Sequence, residues 1–337
     1  MPKKTRISIA DVAREAGVSL GTASNVLNHP DRVAADTRRR VLDVIEKLGF
    51  TPNPAARQLR SGSSLAVGVI VMDLRNPFYM EVARGIDDRL DQADYALLIG
   101  SSDNDPLREA RHLRAFLDHG VDGVIIVPTR HGDQSALRTL VGRGTPVVLL
   151  ESSVSGLKLP CVRTDNVCGG RLAAAHLLLI GDAPIVMFNG PHSIRQCRER
   201  AHGAKEAVRA AGFDPESAFK EVTVPSLDAA GGDSAALQWL ARHGTPPRSL
   251  FCVNDLVAIG AQRAFRRTGS YDPAHCRIIG YDDIDYVREL VTPLTSIRQP
   301  TYQMGYHATE LLLARAPAGA DEPALLPELV VRESTAC

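Results

Sequence analysis

Hydrophobic positions in the first fifty residues recur with the period of an α-helix. Four apolar residues share one face of a first short helix: Ile9, Val12, Ala13 and Ala16. Ser8 can cap its start, with Asp11 three residues on as an approximate capping box, and Gly17 can end it in the left-handed conformation. Ser19 is a second cap, and the pattern predicts another helix from Leu20 to Leu27.

A third helix is predicted from about Ala35 to Leu48, and Gly49 stops it. Its apolar residues are expected to face inward, namely Val41, Leu42, Ile45 and Leu48, with three arginines facing outward, Arg38, Arg39 and Arg40. Helix, short glycine turn and helix form the helix-turn-helix pattern, whose second helix enters the DNA major groove. An ordinary helical hairpin is the alternative at this point.

The segment 53–64 joins this head to the rest of the chain. Asn53 is a predicted N-cap and Pro54 stands at the first helical position, but a helix this short is unstable alone. Either the segment is a passive tether or it folds on DNA. In the second case Leu59 is an apolar wedge for a minor-groove base step.

From Leu65 onward, apolar runs alternate with helical stretches, which predicts an α/β fold with parallel sheets. Strands are expected at 65–73, 95–100, 123–128, 146–150, 184–189, 249–253 and 277–281, and ELVV near the end is strand-like. Helices are expected at 77–92, 106–119, 134–143, 166–180, 194–211, 232–243 and 254–268. About 270 residues exceed one sheet, so we expect two lobes, with polar strand ends converging on a ligand site.

Charge is distributed unevenly along the chain, although the net charge is zero. Residues 1–62 hold 11 lysines and arginines against 6 aspartates and glutamates, a net charge of +5, so the other 275 residues carry −5. A basic head on a mildly acidic body is typical of a phosphate-binding module.

Several protein classes are disfavoured by the sequence. The six cysteines are scattered without a C-x-x-C pair, so neither a disulfide framework nor a metal site is expected. Neither a membrane span nor a secretory leader is visible, and we expect the protein in the cytoplasm. Phosphate-loop, dinucleotide-binding, zinc-protease and nucleophile-elbow motifs are missing, so we expect no enzyme and no cofactor.

Residues 8–60 resemble the DNA-binding head and hinge helix of the LacI/GalR family of bacterial transcription regulators. The matching strings, kept without gaps, are D-V-A-x-x-A-G-V-S, T-A-S-N-V-L-N, T-R-x-x-V and G-F-x-P-N-x-x-A-x-x-L. The resemblance implies base contacts by Leu20, Gly21, Asn25 and the wedge residue Leu59. Phosphate contacts are expected at Ser8, Ser19, Thr22, Ser24, Asn28 and Thr37, and the expected hinge residues are Asn53, Ala56 and Arg57.

The chemistry of these residues supports part of that assignment. Asn25 can bond an adenine edge with two hydrogen bonds, and Leu20 can contact a thymine methyl. Gly21 has no side chain to read a base, although it would allow the backbone a close approach. A well-known member of the family carries large polar residues at the base-reading positions, so the operator of this protein should differ.

The body resembles the family's periplasmic-binding-protein-like effector domain. The resemblance rests on NPFYMEVARGID, RTDNVCGGRLAAAHLL, FNGP…RERAHGA, VNDLVAIGAQRAF, IIGYDDID and PLTSIRQP. The expected effector contacts are Phe78, Asp103, Glu151, Arg200, Asn254, Asp282 and Gln299. Asp103 is among them because it follows the second predicted strand. Two residues depart from that same member: Glu151 replaces a shorter carboxylate, and Leu227 falls near an aromatic position, so a simple galactoside is not expected.

We therefore predict a transcriptional repressor whose affinity for a palindromic operator is controlled by a small ligand, a sugar or sugar derivative, bound between two lobes. Its domains are 1–52, 53–64 and 65–337, with the first lobe at about 65–163 and 297–326 and the second at about 164–296 and 327–337. The chain lacks a terminal leucine heptad, so a homodimer is expected. A regulator that depends on a nucleobase or protein corepressor and a sugar-transport protein are the alternatives.

Overall fold

The computed structural model describes residues 7–50, 63–129, 134–181, 183–317 and 324–335. The chain divides into two compact units, Met1–Ser64 and Leu65–Cys337. The first unit holds the three helices of the head, and the second holds two sheets with their helices. Within these ranges, the model contains no helix long and apolar enough to cross a bilayer.

The three predicted helices of the head are present, as α1 (Ile9–Glu15), α2 (Leu20–Asn28) and α3 (Ala35–Leu48). The capping box forms as expected, because the Ser8 side chain accepts from the Asp11 amide and the Asp11 carboxylate accepts from Ser8. Gly17 has a φ of +64°, which lets the chain turn sharply before α2 begins.

A small apolar core holds these helices together. Its buried members are Val12, Ala13, Ala16, Ala23, Val26 and Val41. The prediction that Leu42 faces inward is wrong, because this side chain is 41% exposed and Val44 packs against the core instead. The helical rotation that buries Val41 and Ile45 places Leu42 on the outer side.

The first sheet of the body is parallel, with strand order β2-β1-β3-β4-β5. Its strands are β1 (Ala66–Val71), β2 (Ala96–Ser101), β3 (Gly123–Ile126), β4 (Val147–Leu150) and β5 (Cys161–Val162). The helices between them are α4 (Pro77–Asp91), α5 (Pro106–His119) and α6 (Ser135–Gly142). β1, β3 and β4 are almost entirely apolar because parallel strands are covered on both faces.

The second sheet has the order β11-β10-β9-β8-β6-β7, and only β11 runs antiparallel. Its strands are β6 (Ile185–Asn189), β7 (Phe219–Thr223), β8 (Ser249–Cys252), β9 (Arg277–Asp282), β10 (Thr295–Arg298) and β11 (Glu328–Val330). The helices of this part are α7 (Asn166–Ile180), α8 (Arg195–Ala210), α9 (Pro215–Ala218), α10 (Ala229–His243) and α11 (Asp255–Arg267).

Among the strands and α-helices of the described residues, five were not predicted from the sequence: β5, β7, β10, α9 and the final helix α12 (Thr301–Leu313). Helix α12 packs against α4 of the first lobe, but its buried face mixes apolar, small and polar residues, which weakens the periodic signal: Met304, Gly305, Ala308, Thr309 and Leu312. The lobe boundary expected at 297 falls inside β10, which belongs to the second sheet.

Candidate functional site

The carboxyl ends of strands from both sheets face one cleft of about 450 Å³. The structure brings together all seven residues expected to contact an effector, because each of them lines this cleft: Phe78, Asp103, Glu151, Arg200, Asn254, Asp282 and Gln299. Ligands of doubly wound α/β sheets bind outside the carboxyl ends of the strands. The cleft is therefore the candidate ligand site of the body.

Glu151, at the end of β4, is held by the segment that leads into the second lobe. Its Oε1 accepts from the Thr164 amide at 2.9 Å and its Oε2 accepts from Asn166 Nδ2 at 3.1 Å. The residue is 4% exposed, and this burial raises the pKa of its carboxyl group. Its φ of +63° is an unusual conformation for a side-chain-bearing residue, and such strain is concentrated at functional sites.

Arg200 joins the same network from α8. Its Nε donates to Asn166 Oδ1 at 2.9 Å, and its Nη1 donates to the Val253 carbonyl at 2.6 Å. The guanidinium lies over the Tyr281 ring, 3.5 Å from the ring centre, and its Nη2 is 3.8 Å from Asp282 Oδ1. Two of the five N–H groups of this buried cation therefore donate hydrogen bonds to the protein, and its Nη2 faces a carboxylate beyond hydrogen-bond distance.

Asp282 ends β9 with a φ of +109°. Gln299 directly follows β10, the strand that pairs with β9. Gln299 Nε2 donates to Asp282 Oδ1 at 2.7 Å. Burial raises the pKa of Asp282 to about 6, while the Arg200 charge and the Gln299 hydrogen bond act in the opposite direction. The Gln299 Oε1 atom is buried and has no hydrogen-bond partner among the described residues.

The other predicted contacts have local structural roles as well. Asn254 caps α11 by accepting from the Val257 amide and donates to the Leu227 carbonyl at 2.9 Å. Asp103 accepts from Ser101 and forms an ion pair with Arg108. Phe78 is 7% exposed, follows the cap of α4 and meets the Tyr79 ring edge-on.

Several residues that line the cleft or support its wall were missed by the sequence reasoning. Asn166 links Glu151 to Arg200 although these three residues are far apart in the chain, and no local pattern reveals that link. The sequence feature that could have pointed to Asn166 is its place in the string RTDN, directly after Asp165, the N-cap of α7. Tyr281, Tyr79 and Asp228 were likewise not singled out, whereas the departure noted at Leu227 does lie on the cleft wall.

A larger groove of about 990 Å³ lies beside the cleft and shares Arg75, Phe78, Asp282 and Gln299 with it. Its other walls include exposed side chains, such as Glu81, Arg84 and Tyr286. The smaller cleft is the better candidate for a small ligand because buried polar groups from several strand ends converge there.

The head presents a second candidate site on α2. Leu20 is 54% exposed, and Gly21 and Asn25 are exposed on the same helix, while Ala23 and Val26 face the core. A Cβ atom built on Gly21 would have only the Ser19 hydroxyl within 4 Å, at 3.8 Å. This solvent-facing surface of the second helix is the part of a helix-turn-helix that contacts DNA bases.

The residues expected near phosphates differ in exposure. Ser8 and Ser19 are exposed caps, and Thr22 lies 2.9 Å from the Ser19 hydroxyl. Ser24 and Thr37 are half-buried, and Asn28 ends α2. The base contact expected at Leu59 and the hinge residues Asn53, Ala56 and Arg57 lie outside the described residues. Across the described ranges, no cluster of His, Cys, Asp and Glu is placed to hold a metal ion.

Both units match known protein families. Residues 8–53 match the family model of bacterial regulatory proteins of the lacI family, and residues 64–326 match that of periplasmic binding proteins and the sugar-binding domain of the LacI family.

Individual relatives and one solved structure agree with these family models. The chain is 32% identical to the HTH-type transcriptional regulator DegA of Bacillus subtilis (strain 168), over 98% of each chain. It is 34% identical to the ribose operon repressor of the same organism, over 91% of this chain and 90% of that one. A crystal structure of the lac repressor dimer bound to operator and an anti-inducer is similar with a TM-score of 0.84 and 27% identity, over 99% and 100% of the two chains. The chain belongs to the LacI family of bacterial regulatory proteins and is a DNA-binding transcriptional regulator.

Proposed function

We propose that this protein is a homodimeric repressor that reads a palindromic operator with α2 and releases it when a small ligand binds the cleft. The observation that carries the proposal is that one chain has an exposed reading surface on α2 and a cleft lined by buried polar groups. The first suits a base edge and the second suits a small polar ligand. A two-fold dimer matches a palindrome.

The proposed contacts with bases are unequal. Asn25 reads an adenine edge and Leu20 contacts a thymine methyl, while Gly21 lets the helix approach the DNA closely. Leu59 supplies the wedge in the minor groove. Ser8, Ser19, Thr22, Ser24, Asn28 and Thr37 position the head on phosphates, which fixes its register without reading sequence.

Control by ligand follows from the two-lobed arrangement. Ligand contacts with Phe78 and Glu151 of the first lobe and with Arg200 and Asp282 of the second draw the lobes together. In the dimer this closure shifts the paired first lobes, so that the hinge at Asn53, Ala56 and Arg57 no longer folds on DNA. A shift of this kind requires that the ligand bind one conformation more tightly than the other.

The effector is a sugar or a sugar derivative, as the name of the related ribose operon repressor indicates for that protein. Carboxylate, amide and guanidinium groups beside Phe78 provide the donors, acceptors and apolar face that a sugar needs. The protein acts in the bacterial cytoplasm, where its operator is, and has no catalytic activity. A corepressor-dependent regulator is the second candidate.

Operator selection from a random DNA pool, followed by fluorescence anisotropy, tests this function. The full chain should bind one palindrome tightly, with an affinity that falls steeply with salt. In the Asn25→Ala variant, preference should relax at one base pair in each half-site, at a cost of about 1–3 kcal/mol. A uniform loss over all sequences would assign Asn25 to phosphate, and an absence of any preferred palindrome would reject the proposal.

A further inference from the structure

The acidic groups of the cleft outnumber its available cationic groups. Five carboxylates line it, contributed by Asp73, Asp103, Glu151, Asp228 and Asp282. Two guanidiniums line it, and among the described residues no lysine or histidine does. Arg75 pairs with Asp73, and Arg108, just outside the wall, pairs with Asp103. Within the described ranges, Glu151, Asp228 and Asp282 form no ion pair with either of these two arginines, and Arg200 is the other guanidinium of the cleft wall.

Part of the Arg200 guanidinium is already bonded within the protein, and a carboxylate faces the rest. Its Nε bonds Asn166, its Nη1 bonds Val253, and its Nη2 faces Asp282 at 3.8 Å. Proteins that bind phosphate or carboxylate groups use arginine forks whose donors are open to the ligand. An anion in this cleft would compete with Asp282 for the Nη2 end of Arg200 and would face an excess of negative charge.

Helix N-termini, the other common source of anion binding, are also largely occupied. Helices α4, α10 and α11 begin at the cleft, and the side chains of Asn76, Asp228 and Asn254 accept from amides of their first turns. Asp228 adds a negative charge there, because the Ser226 hydroxyl hydrogen bond lowers its pKa. Helix α8 begins after the apolar residue Ile194, so its first amides are the remaining candidates for an anion.

A separate observation indicates what the cleft requires from its ligand. Gln299 is 3% exposed and lines the cleft, and its Nε2 is fixed by the bond to Asp282. Its Oε1 has no donor among the described residues. A buried acceptor without a donor costs free energy, so a ligand hydroxyl that donates to Oε1 would stabilise the complex.

We propose that the cleft selects a polyhydroxylated ligand without negative charge and discriminates against phosphorylated and carboxylated forms of the same sugar. This inference rests on the proposed function of the cleft as a ligand site. Hydroxyls donate to the acceptors of the cleft, including Gln299 Oε1 and the carboxylates, whereas an ionised phosphate or carboxylate can only accept.

Calorimetric titration of the full chain, without DNA, tests this selectivity. The probes are neutral pentoses, hexoses and disaccharides, each paired with its phosphate ester and its sugar acid. At least one neutral sugar should bind, and its phosphate and acid should bind at least tenfold more weakly. Tightest binding of an anionic form, or binding of none of the neutral sugars, would overturn the inference.

Asp228→Asn provides the matched variant, because asparagine still caps a helix but removes one negative charge. The affinity of the phosphate ester should rise severalfold in this variant, while that of the neutral sugar changes little. Asp214→Asn is the control, because Asp214 caps α9 and does not line the cleft. Equal affinity changes for both ligands, or the same change in the control, would show that the charge of Asp228 does not set the selectivity.

The two proposals can fail separately. Binding of an anionic ligand that also weakens operator binding would reject the selectivity and leave the repressor function intact. Binding of a neutral sugar that leaves operator affinity unchanged would support the selectivity and reject the control of operator binding by this ligand.

Discussion

The head and the cleft differ in how far their expected recognition residues are exposed. On α2 the residues expected to read DNA are exposed, and the helix is held from behind by Ala23 and Val26. In the cleft the residues expected to bind ligand are mostly buried and bonded to one another, as in the series Glu151, Asn166 and Arg200. A change at an exposed position of α2 therefore alters mainly contact with a partner, whereas a change in the cleft also alters the packing of the fold.

The carboxyl groups of the two regions also differ in the direction of their pKa shifts. The pKa values of Asp11 and Glu15 in the head are lowered by hydrogen bonds from Ser8 and Lys47 at the surface. In the cleft, burial raises the pKa values of Glu151 and Asp282. The head thus stabilises its charges in contact with water, whereas the body keeps charges where water is scarce.

The largest expected effect comes from overpacking the body at the helix pair that carries Arg200. Helices α7 and α8 pack closely, and a Cβ atom on Gly203 would lie 1.9 Å from the Val167 carbonyl oxygen. Gly203→Ala should therefore lower the free energy of unfolding by about 3 kcal/mol, at the upper end of overpacking costs. Urea titration monitored by the fluorescence of the single tryptophan, Trp239 in α10, measures it.

Gly142→Ala is the control for this change, since a Cβ atom there has nothing within 4 Å. It should leave the body as stable or make it slightly more stable, by up to about 1 kcal/mol. If Gly203→Ala lowered the stability no more than Gly142→Ala, the close contact between α7 and α8 at Gly203 would be rejected.

This contrast also explains what could be predicted from the sequence. The caps Ser8 and Ser19 and the turn at Gly17 are local signals, and the first two head helices followed from them. The polar strand ends of the body were recognisable because parallel strands end at one edge of the sheet. The link through Asn166 was not, because it depends on how two lobes meet, which no spacing along the chain encodes.

Acid should stabilise the body through Asp282. Its pKa is about 6 in the folded protein and 3.8 without perturbation, so between these values the folded state holds a proton that the unfolded state has lost. The stabilisation by this group is complete below the lower pKa and is lost as the pH rises through the upper one. Lowering the pH from 7 to 5 should therefore add about 1 kcal/mol to the free energy of unfolding.

Asp282→Asn isolates this contribution from those of the other buried carboxylates. Urea titrations of parent and variant at pH 7 and pH 5, followed by Trp239 fluorescence, should show that the variant lacks this gain. Asp11 in the head behaves oppositely, because its lowered pKa gives a stabilisation that is lost as the pH falls. An identical pH dependence in parent and Asp282→Asn would mean that Asp282 ionises normally in the fold.

The smallest expected change in stability concerns Gly21. It tests whether this residue contributes to DNA contact separately from the stability of the head. Gly21→Ala meets no close neighbour and no strained backbone, so it should stabilise α2 by about 0.5–1 kcal/mol. If Gly21 serves a close approach of the backbone to DNA, the same methyl group should weaken operator binding in fluorescence anisotropy although the head is more stable. Unchanged or stronger operator binding would show that Gly21 has no role in the interface and would leave base reading on α2 to Leu20 and Asn25.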